Sequence, residues 1–142
     1  MEENLSLKAF VVLMKASKSV TEHVKKDISR YNMKTTDFAV LEALYHKGNL
    51  TVKQIAESVL INAGSMTYVI DKLEDKELLE RRPCKDDRRA VYIHITDKGK
   101  QLMDAIFPKH EAAIEEMFQN ITPDEKRTVI NILKRIGQSN HD

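Results

Sequence analysis

Apolar residues recur at steps of three and four over long stretches of this chain, which is the spacing of one face of an α-helix. The first stretch predicts a long amphipathic helix from Leu5 to about Tyr31. The second predicts a helix that Thr35 or Thr36 caps and that Gly48 ends. A small domain cannot cover the whole apolar face of the first helix, so we expect a partner surface there, most simply on a second copy of the chain. Packing against the chain's own C-terminal helices is compatible with this.

The same spacing continues through the C-terminal third of the chain. Apolar residues over 102–121 are interrupted by Pro108, which predicts a bent helix or two helices that meet there, because an internal proline removes a hydrogen bond and clashes with the preceding turn. Thr122, Pro123 and Glu125 then stand in the order of an N-cap, a first helical residue and a capping-box partner. They predict the start of a final helix, whose apolar face comprises Val129, Ile130, Leu133 and Ile136.

Two short helices separated by a tight turn are predicted between residues 51 and 76. Thr51 and Gln54 form a capping box at the start of the first helix, and Asn62 is a strong N-cap for the second. The residues expected on the buried faces are Ile55, Ala56 and Val59 in the first helix and Met66, Val69, Ile70 and Leu73 in the second. The opposite face at the start of the second helix carries mostly small or hydroxyl-bearing side chains, namely Ala63, Gly64, Ser65, Thr67 and Tyr68.

A helix with such a face suits the major groove of DNA, where its first turns must approach the base edges closely. Gly64 allows a close approach of the backbone, and the positive N-terminus of the helix favours a phosphate. A surface helix that begins with small residues explains the same pattern, so both interpretations stay open on this feature alone.

Two short β-like stretches follow, Leu78–Arg82 and Ala90–Ile95, and every other residue of the second is aliphatic. From Arg81 to Lys100 there are seven lysines and arginines and three aspartates, a net charge of +4, whereas the whole chain carries only +1. Positive charge concentrated on a hairpin is typical of a projection that binds phosphates. Helix, turn, helix and hairpin in this order predict a winged helix, which is a DNA-binding unit.

Composition narrows the class of protein further. The 142 residues, 42% apolar and 32% charged, predict a single soluble domain over residues 1–142. No apolar run approaches the roughly 18 residues of a membrane span, and no signal-peptide pattern precedes the first helix. The single cysteine excludes an internal disulfide and favours a cytoplasmic location.

No catalytic or cofactor motif stands out. The sequence contains no glycine-rich phosphate loop, no nucleophile elbow and no paired-cysteine metal signature, so we expect neither an enzyme nor a cofactor. The five histidines are scattered without the spacing of metal ligands. A zinc site assembled from distant histidines, glutamates and Cys84 is the alternative.

Several segments resemble the MarR (multiple-antibiotic-resistance regulator) family, and the likeness extends over nearly the whole chain. The segments are Leu73–Lys76, Leu78–Arg81, Asp87–Val91 and Ile95–Gly99. The resemblance implies a mainly α-helical dimer with a winged helix and its small β-hairpin wing in each subunit, which acts as a ligand- or oxidant-responsive transcription factor. The DNA-binding lobe would then cover about residues 36–96, and the dimerisation helices about 5–31 and 97–138.

The resemblance also assigns residues. Asp87 and Arg89 match the pair that braces the wing, and Arg88 or Arg89 matches the arginine that enters the minor groove. With the recognition-helix segment included, the candidate DNA contacts are Asn62, Gly64, Ser65, Thr67, Tyr68, Lys72, Arg81, Lys85, Arg88 and Arg89. Glu77 departs from the pattern, because many family members have glycine there. A left-handed glutamate costs roughly 1 kcal/mol, so we expect a differently built turn.

Cys84, the only thiol, stands in the predicted wing loop close to several cations, which favour the reactive thiolate. It is therefore a candidate sensor of oxidants or electrophiles. The alternative is an incidental surface cysteine, whose neighbouring cations are partly offset by Asp86 and Asp87.

These features predict a sequence-specific regulator of transcription that binds double-stranded DNA. It would be a homodimeric repressor that reads an inverted repeat and is released by a small molecule, of the phenolic or quinone kind, or by an oxidant. A ligand pocket between the dimerisation helices and the DNA-binding lobe would be lined by residues such as Met14, Met33, Met103, Phe107, Met117 and Phe118, although the core is the preferred interpretation of these residues. A winged helix used only for protein association and an enzyme are the competing function classes.

Overall fold

The chain forms six helices and three short strands over the residues that the structure, a computed structural model, describes, namely 3–59, 63–87 and 89–138. In chain order these elements are α1 (Leu5–Ser29), α2 (Thr35–Lys47), β1 (Leu50–Thr51), α3 (Val52–Val59), α4 (Ala63–Asp75), β2 (Leu79–Pro83), β3 (Val91–Ile95), α5 (Asp97–Met117) and α6 (Pro123–Gln138). The mainly helical fold with a small β-hairpin is thus confirmed, and both predicted hairpin strands are present within one residue of their expected bounds.

The three strands form one antiparallel sheet in the order β1-β3-β2. Along β2 and β3, Leu79 lies opposite Ile95 and Arg81 lies opposite Ile93. On the other edge of β3, Leu50 of β1 also lies opposite Ile93. The sequence predicted only the hairpin, so β1 is an addition. It fixes the start of α3 to the wing, because Thr51 both pairs with β3 and caps α3.

The hydrophobic core lies where α2, α3, α4 and the hairpin meet, and the ends of α1 and α5 close it. The predicted apolar faces of α3 and α4 are confirmed, since Ile55 is buried, as are all four apolar residues expected on the inner face of α4. The largest fully buried side chains are Ile28, Leu41, Leu44, Ile55, Met66, Ile70, Leu73, Leu79, Ile93 and Met103.

Two helix starts follow the sequence, and one does not. The capping box of Thr51 and Gln54 is formed, with hydrogen bonds of 2.9 and 3.1 Å in the two directions. At the start of α6, the Glu125 carboxylate accepts from the Thr122 backbone N–H at 2.9 Å, which lowers the pKa of Glu125. The prediction that Thr35 or Thr36 caps α2 is wrong, because Lys34 is the N-cap residue and Asp37 accepts its backbone N–H.

Pro108 lies inside α5, which continues through it from Asp97 to Met117. Of the two arrangements expected at this proline, a break into two helices is therefore wrong. A proline in a helix lacks one backbone donor, and packing of the surrounding helix can compensate for that loss.

The turn after α4 keeps the left-handed residue that the sequence argued against. Glu77 has φ of 63°, so the expectation of a differently built turn is wrong. The Leu78 N–H donates to the Leu73 carbonyl at 3.0 Å and the Glu77 N–H to the Glu74 carbonyl at 2.9 Å, which is the Schellman pattern. Thr96, the N-cap of α5, holds the same turn by donating to the Glu77 carbonyl at 2.6 Å. These bonds compensate for the strain of a left-handed glutamate.

Large apolar side chains stay exposed on two helices. They occupy the N-terminal half of α1 and one side of α6, which has no buried residue within this chain. None of the helices in the described ranges is both long and apolar enough to cross a membrane.

Candidate nucleic-acid interface

The recognition helix α4 presents its two faces as the sequence predicts. Met66, Ile70 and Leu73 are buried against the core, whereas Tyr68 projects with 67% of its surface exposed. Ser65 and Thr67 are also on the exposed side. Asn62 and Arg88, two further candidate contacts, lie outside the described residues. Gly64 belongs to the first turn of α4.

In the described part of the wing, hydrogen bonds from backbone N–H groups join residues on both sides of its tip. Asp87 accepts the backbone N–H of Arg89 through its carboxylate at 3.0 Å and that of Ala90 through its carbonyl at 3.1 Å. Below the tip, the Cys84 N–H donates to the Ala90 carbonyl at 2.9 Å. Asp87 thus contacts the backbone of Arg89, the residue that the resemblance pairs with it. The side chains of Lys85 and Arg89 are exposed.

Arg81, a candidate DNA contact, is engaged within the chain. Its guanidinium binds Asp71 and Glu74 of α4, each at 2.5 Å, and its backbone N–H donates to Glu74 at 3.1 Å. Burial alone would lower the pKa of Arg81, but the hydrogen bonds with the two carboxylates raise it above its ordinary value. Arg81 therefore joins the wing to the recognition helix, and its positive charge is balanced by the two carboxylates.

Lys72, another candidate contact, is engaged in the same way. Its ammonium lies 2.8 Å from the Asp37 carboxylate of α2, which is only 3% exposed. The charge of Arg82 is also matched, by Glu80 on the same strand. The excess positive charge counted from residue 81 to 100 is thus partly offset by carboxylates outside that stretch. Among the described wing residues, the exposed Lys85 and Arg89 carry the outward positive charge.

Three carboxylates that organise this region, Asp37, Asp71 and Glu74, are not among the residues that the sequence indicated as functional. Asp71 and Glu74 are spaced i, i+3 and so share one side of α4, a signal that would have indicated a common partner. Asp37 had a weaker signal, as a carboxylate in the first turn of α2, directly before the apolar residues that begin at Phe38.

Cys84 is half-buried at the end of β2. It lines a hollow of about 370 Å³ with Asn49, Arg82, Pro83, Lys85, Tyr92 and His94. The thiol is therefore partly exposed. In the described part of the chain, no three His, Cys, Asp or Glu side chains come close enough to hold a metal ion.

The residues proposed to line one ligand pocket are separated. Met103 is buried in the core and Met14 is exposed. Met117 lines a hollow of about 380 Å³ between α1 and α5, whereas Phe118 lies between α5 and α6. Within the single chain these residues do not line one hollow, and Met103 lies in the core, as the preferred interpretation of these residues predicts.

The hollow between α1 and α5 combines charged, polar and apolar groups. Its lining is His23, Lys26, Asp27, Arg30, Ala113, Glu116, Met117 and Gln119. Asp27 is buried, and its Oδ2 lies 3.7 Å from His110 Nδ1. Farther along α5, Asp104 accepts a hydrogen bond from Tyr45 of α2, which raises the pKa of the tyrosine. This polar contact ties α2 to α5.

A helix-turn-helix followed by a three-stranded wing places this chain among the winged-helix DNA-binding proteins. The model of the MarR family matches residues 33–91, which contain most of the interface described above. The HTH-type transcriptional regulator MhqR of Bacillus subtilis strain 168 is 46% identical over 132 residues, covering 93% of this chain and 91% of that protein. The chain belongs to the MarR family and is a transcriptional regulator.

Solved structures of the family share the whole fold. Sco3205, a MarR family transcriptional regulator from Streptomyces coelicolor solved in complex with DNA, has a TM-score of 0.87 at 17% identity, covering 98% of this chain and 93% of that one. BpsR of Bordetella bronchiseptica, whose DNA binding is regulated by 6-hydroxynicotinic acid, has a TM-score of 0.80 at 22% identity. The match covers 92% of this chain and 98% of BpsR.

Proposed function

We propose that this chain is a homodimeric repressor, which binds an inverted repeat in double-stranded DNA and is released by a small aromatic molecule. The proposed DNA-binding surface is supported mainly by the exposed face of α4. Arg81 of the wing holds this helix beside the wing through its ion pairs with Asp71 and Glu74. A helix and a hairpin held together in this way can enter the major groove and contact the adjacent backbone at the same time.

The proposed contacts divide by chemistry. Ser65, Thr67 and Tyr68 of α4 read base edges, because hydroxyl groups can donate and accept hydrogen bonds in the major groove. Lys85 and Arg89 bind phosphates or the minor groove, and Arg88 joins them. Gly64, in the first turn of α4, approaches a phosphate at the positive helix end. Asn62, which precedes α4 in the sequence, is proposed as a further contact there. In a two-fold dimer the half-sites lie about 10 base pairs apart.

The proposed dimer is supported by the apolar surfaces of α1 and α6. Phe10, Val12 and Met14 of α1 and Ile130 and Leu133 of α6 are exposed in the isolated chain. Exposed apolar patches of this extent mark association surfaces in soluble proteins. In a two-fold symmetric dimer, a second copy of the same chain would cover these apolar surfaces, and no such surface would be left to bind further copies.

Release by a ligand is proposed from the hollow between α1 and α5. Its Lys26 and Arg30 can bind a carboxylate or phenolate, and Met117 offers apolar contact for a ring. The similarity to BpsR, which responds to a hydroxylated aromatic acid, supports this ligand class. A ligand there weakens DNA binding only if it binds the DNA-free arrangement of the two lobes more tightly than the bound one.

A gel-shift titration with a DNA fragment from beside the protein's own gene tests the proposal. Arg89→Ala should weaken operator binding and reduce the slope of log affinity against log salt by about 0.9, since one phosphate contact is lost. Thr67→Ala should instead change the preference among operator variants and leave that slope alone. Equal binding of operator and unrelated DNA by the wild type would contradict sequence-specific regulation.

A further inference from the structure

The recognition helix is joined to α2 by an ion pair that is largely withdrawn from water. Lys72 Nζ lies 2.8 Å from Asp37 Oδ1, and the side chains are 24% and 3% exposed. Asp37 is the third residue of α2, and its other oxygen accepts the backbone N–H of Lys34 at 3.4 Å. The position of the carboxylate is therefore set by the start of α2, and Lys72 must come to it.

We propose that Asp37 and Lys72 are positioning residues, which fix the orientation of α4 for DNA recognition, and that Lys72 does not itself contact DNA. This inference rests on the proposed role of α4 as the recognition helix. It reassigns Lys72, whose position on α4 had predicted a DNA contact. It also gives a functional role to Asp37, for which the sequence offered only a weak signal.

Apolar contacts of Met66, Ile70 and Leu73 hold the inner face of α4, and hydrophobic attraction has no preferred direction. The ion pair adds a contact between two specific side chains, and buried polar pairs serve best as devices that fix register. Lys72 lies one turn from the C-terminal end of α4, whereas the residues proposed to enter the groove lie near its N-terminal end. A small rotation of α4 at the ion pair therefore moves the residues at the other end of the helix.

Lys72 also links the pair to the exposed face. Its ammonium lies 5.9 Å from the centre of the Tyr68 ring, one turn earlier on the same helix. A cation held at this distance favours one orientation of the ring. The buried carboxylate of Asp37 thus sets the position of Lys72, and Lys72 in turn sets that of Tyr68. Moving Lys72 to a phosphate would leave Asp37 charged and unpaired in a buried site, which is strongly unfavourable.

The test compares operator affinity and its salt dependence for Asp37→Asn, Lys72→Met and the double variant. A positioning pair predicts that each single variant binds operator at least tenfold more weakly, with the salt slope of the wild type. The double variant should bind no worse than the weaker single variant, because both changes break one interaction. Lys85→Met is the matched control for a lysine that does contact phosphate, and it should lower the slope by about 0.9.

Asp37→Asn separates the two roles of Lys72 most sharply. If Lys72 is a DNA contact, then removing Asp37 frees its charge, and Asp37→Asn binds as tightly as the wild type or more tightly. That result, or a flattened slope for Lys72→Met, would overturn the inference. Titration at high operator concentration gives the fraction of each variant that is active, and each affinity is calculated from that active fraction. The double variant leaves no charge buried alone, so it tests the slope even where a single variant folds poorly. Failure of the wild type to prefer operator would instead contradict the proposed function.

Discussion

Gly99 lies where the first turn of α5 meets the turn that follows α4. A Cβ atom at this position would stand 2.2 Å from the Leu78 carbonyl oxygen and 2.7 Å from Ile95 Cγ1. The Leu78 carbonyl cannot retreat, because it accepts the Thr96 N–H at 3.1 Å. The glycine is therefore required by space, and it lets α5 begin directly against the wing.

We expect Gly99→Ala to lower the free energy of unfolding by about 1–3 kcal/mol, the usual cost of forcing an extra methyl group into a packed site. This outcome goes against helix propensity, which favours alanine by about 1 kcal/mol. Gly137→Ala is the matched control, since a Cβ there meets nothing within 4 Å, and it should be neutral or stabilising. Urea unfolding of both variants measures the difference, and an unchanged Gly99→Ala midpoint would argue against the close contact.

Cys84 lines a hollow together with Tyr92 and His94 and is only partly exposed. In the sequence, the charges of Asp86 and Asp87 offset those of the nearby cations. The chain has no second thiol that could form a disulfide with it inside one subunit. We therefore expect Cys84→Ser to keep operator binding and to respond to a quinone or peroxide as the wild type does. Paired gel-shifts with and without the reagent measure this. A wild type that releases DNA beside a Cys84→Ser variant that holds it would identify the thiol as the sensor.

At the residue scale, the sequence distinguished candidate DNA contacts from core residues. It did not distinguish charged side chains that are free from those that are paired within the chain. Tyr68 and Met66 were placed on the correct faces of α4, because periodicity reports directly which side is buried. Arg81 and Lys72 were predicted to contact DNA, although both are paired within the chain. The two partners of Arg81 lie ten and seven residues earlier in the sequence, and the partner of Lys72 lies thirty-five residues earlier. No local pattern joins residues that only the fold brings together.

At the element scale, long periodic segments were predictable and short or strained ones were not. The faces of α3 and α4 and the two hairpin strands followed from spacing. β1 has only two residues, too few for an alternating pattern, so it appears only through its pairing with β3. The left-handed Glu77 was rejected on its intrinsic cost, but the Thr96 hydroxyl and the Schellman hydrogen bonds outweigh that cost.

The wing and the recognition helix should behave as one unit because Arg81 links them. We expect Arg81→Met to destabilise the protein by about 1 kcal/mol, given two partly exposed ion pairs. Operator affinity should also fall, because the wing is no longer fixed to α4, while the salt slope stays unchanged. Arg82→Met is the control, since Arg82 pairs with Glu80 of its own strand and links no elements. A flattened salt slope for Arg81→Met would restore the direct DNA contact that the sequence predicted.

At the scale of the whole molecule, the chain divides its apolar residues between a core it covers itself and a surface it does not. The core lies under α2, α3, α4 and the sheet, so the DNA-binding lobe is stabilised within one chain. α6 has no buried residue, although its apolar residues follow a regular helical stripe. Such a stripe is stable in water only when another surface covers it.

We expect the protein to sediment as a dimer at micromolar concentration, with α1 and α6 at the interface. Leu133 lies in the middle of the apolar stripe of α6 and is 43% exposed in the isolated chain. Leu133→Glu should therefore leave the fold of each subunit intact but place a charge in the interface and yield a monomer. Since a monomer engages only one half-site, its affinity for the inverted repeat should fall about 100-fold or more. Asn131→Glu adds the same charge on the opposite side of α6 and should stay dimeric. A wild type that sediments as a monomer, or a Leu133→Glu variant that remains a dimer, would show that α6 is covered in some other way.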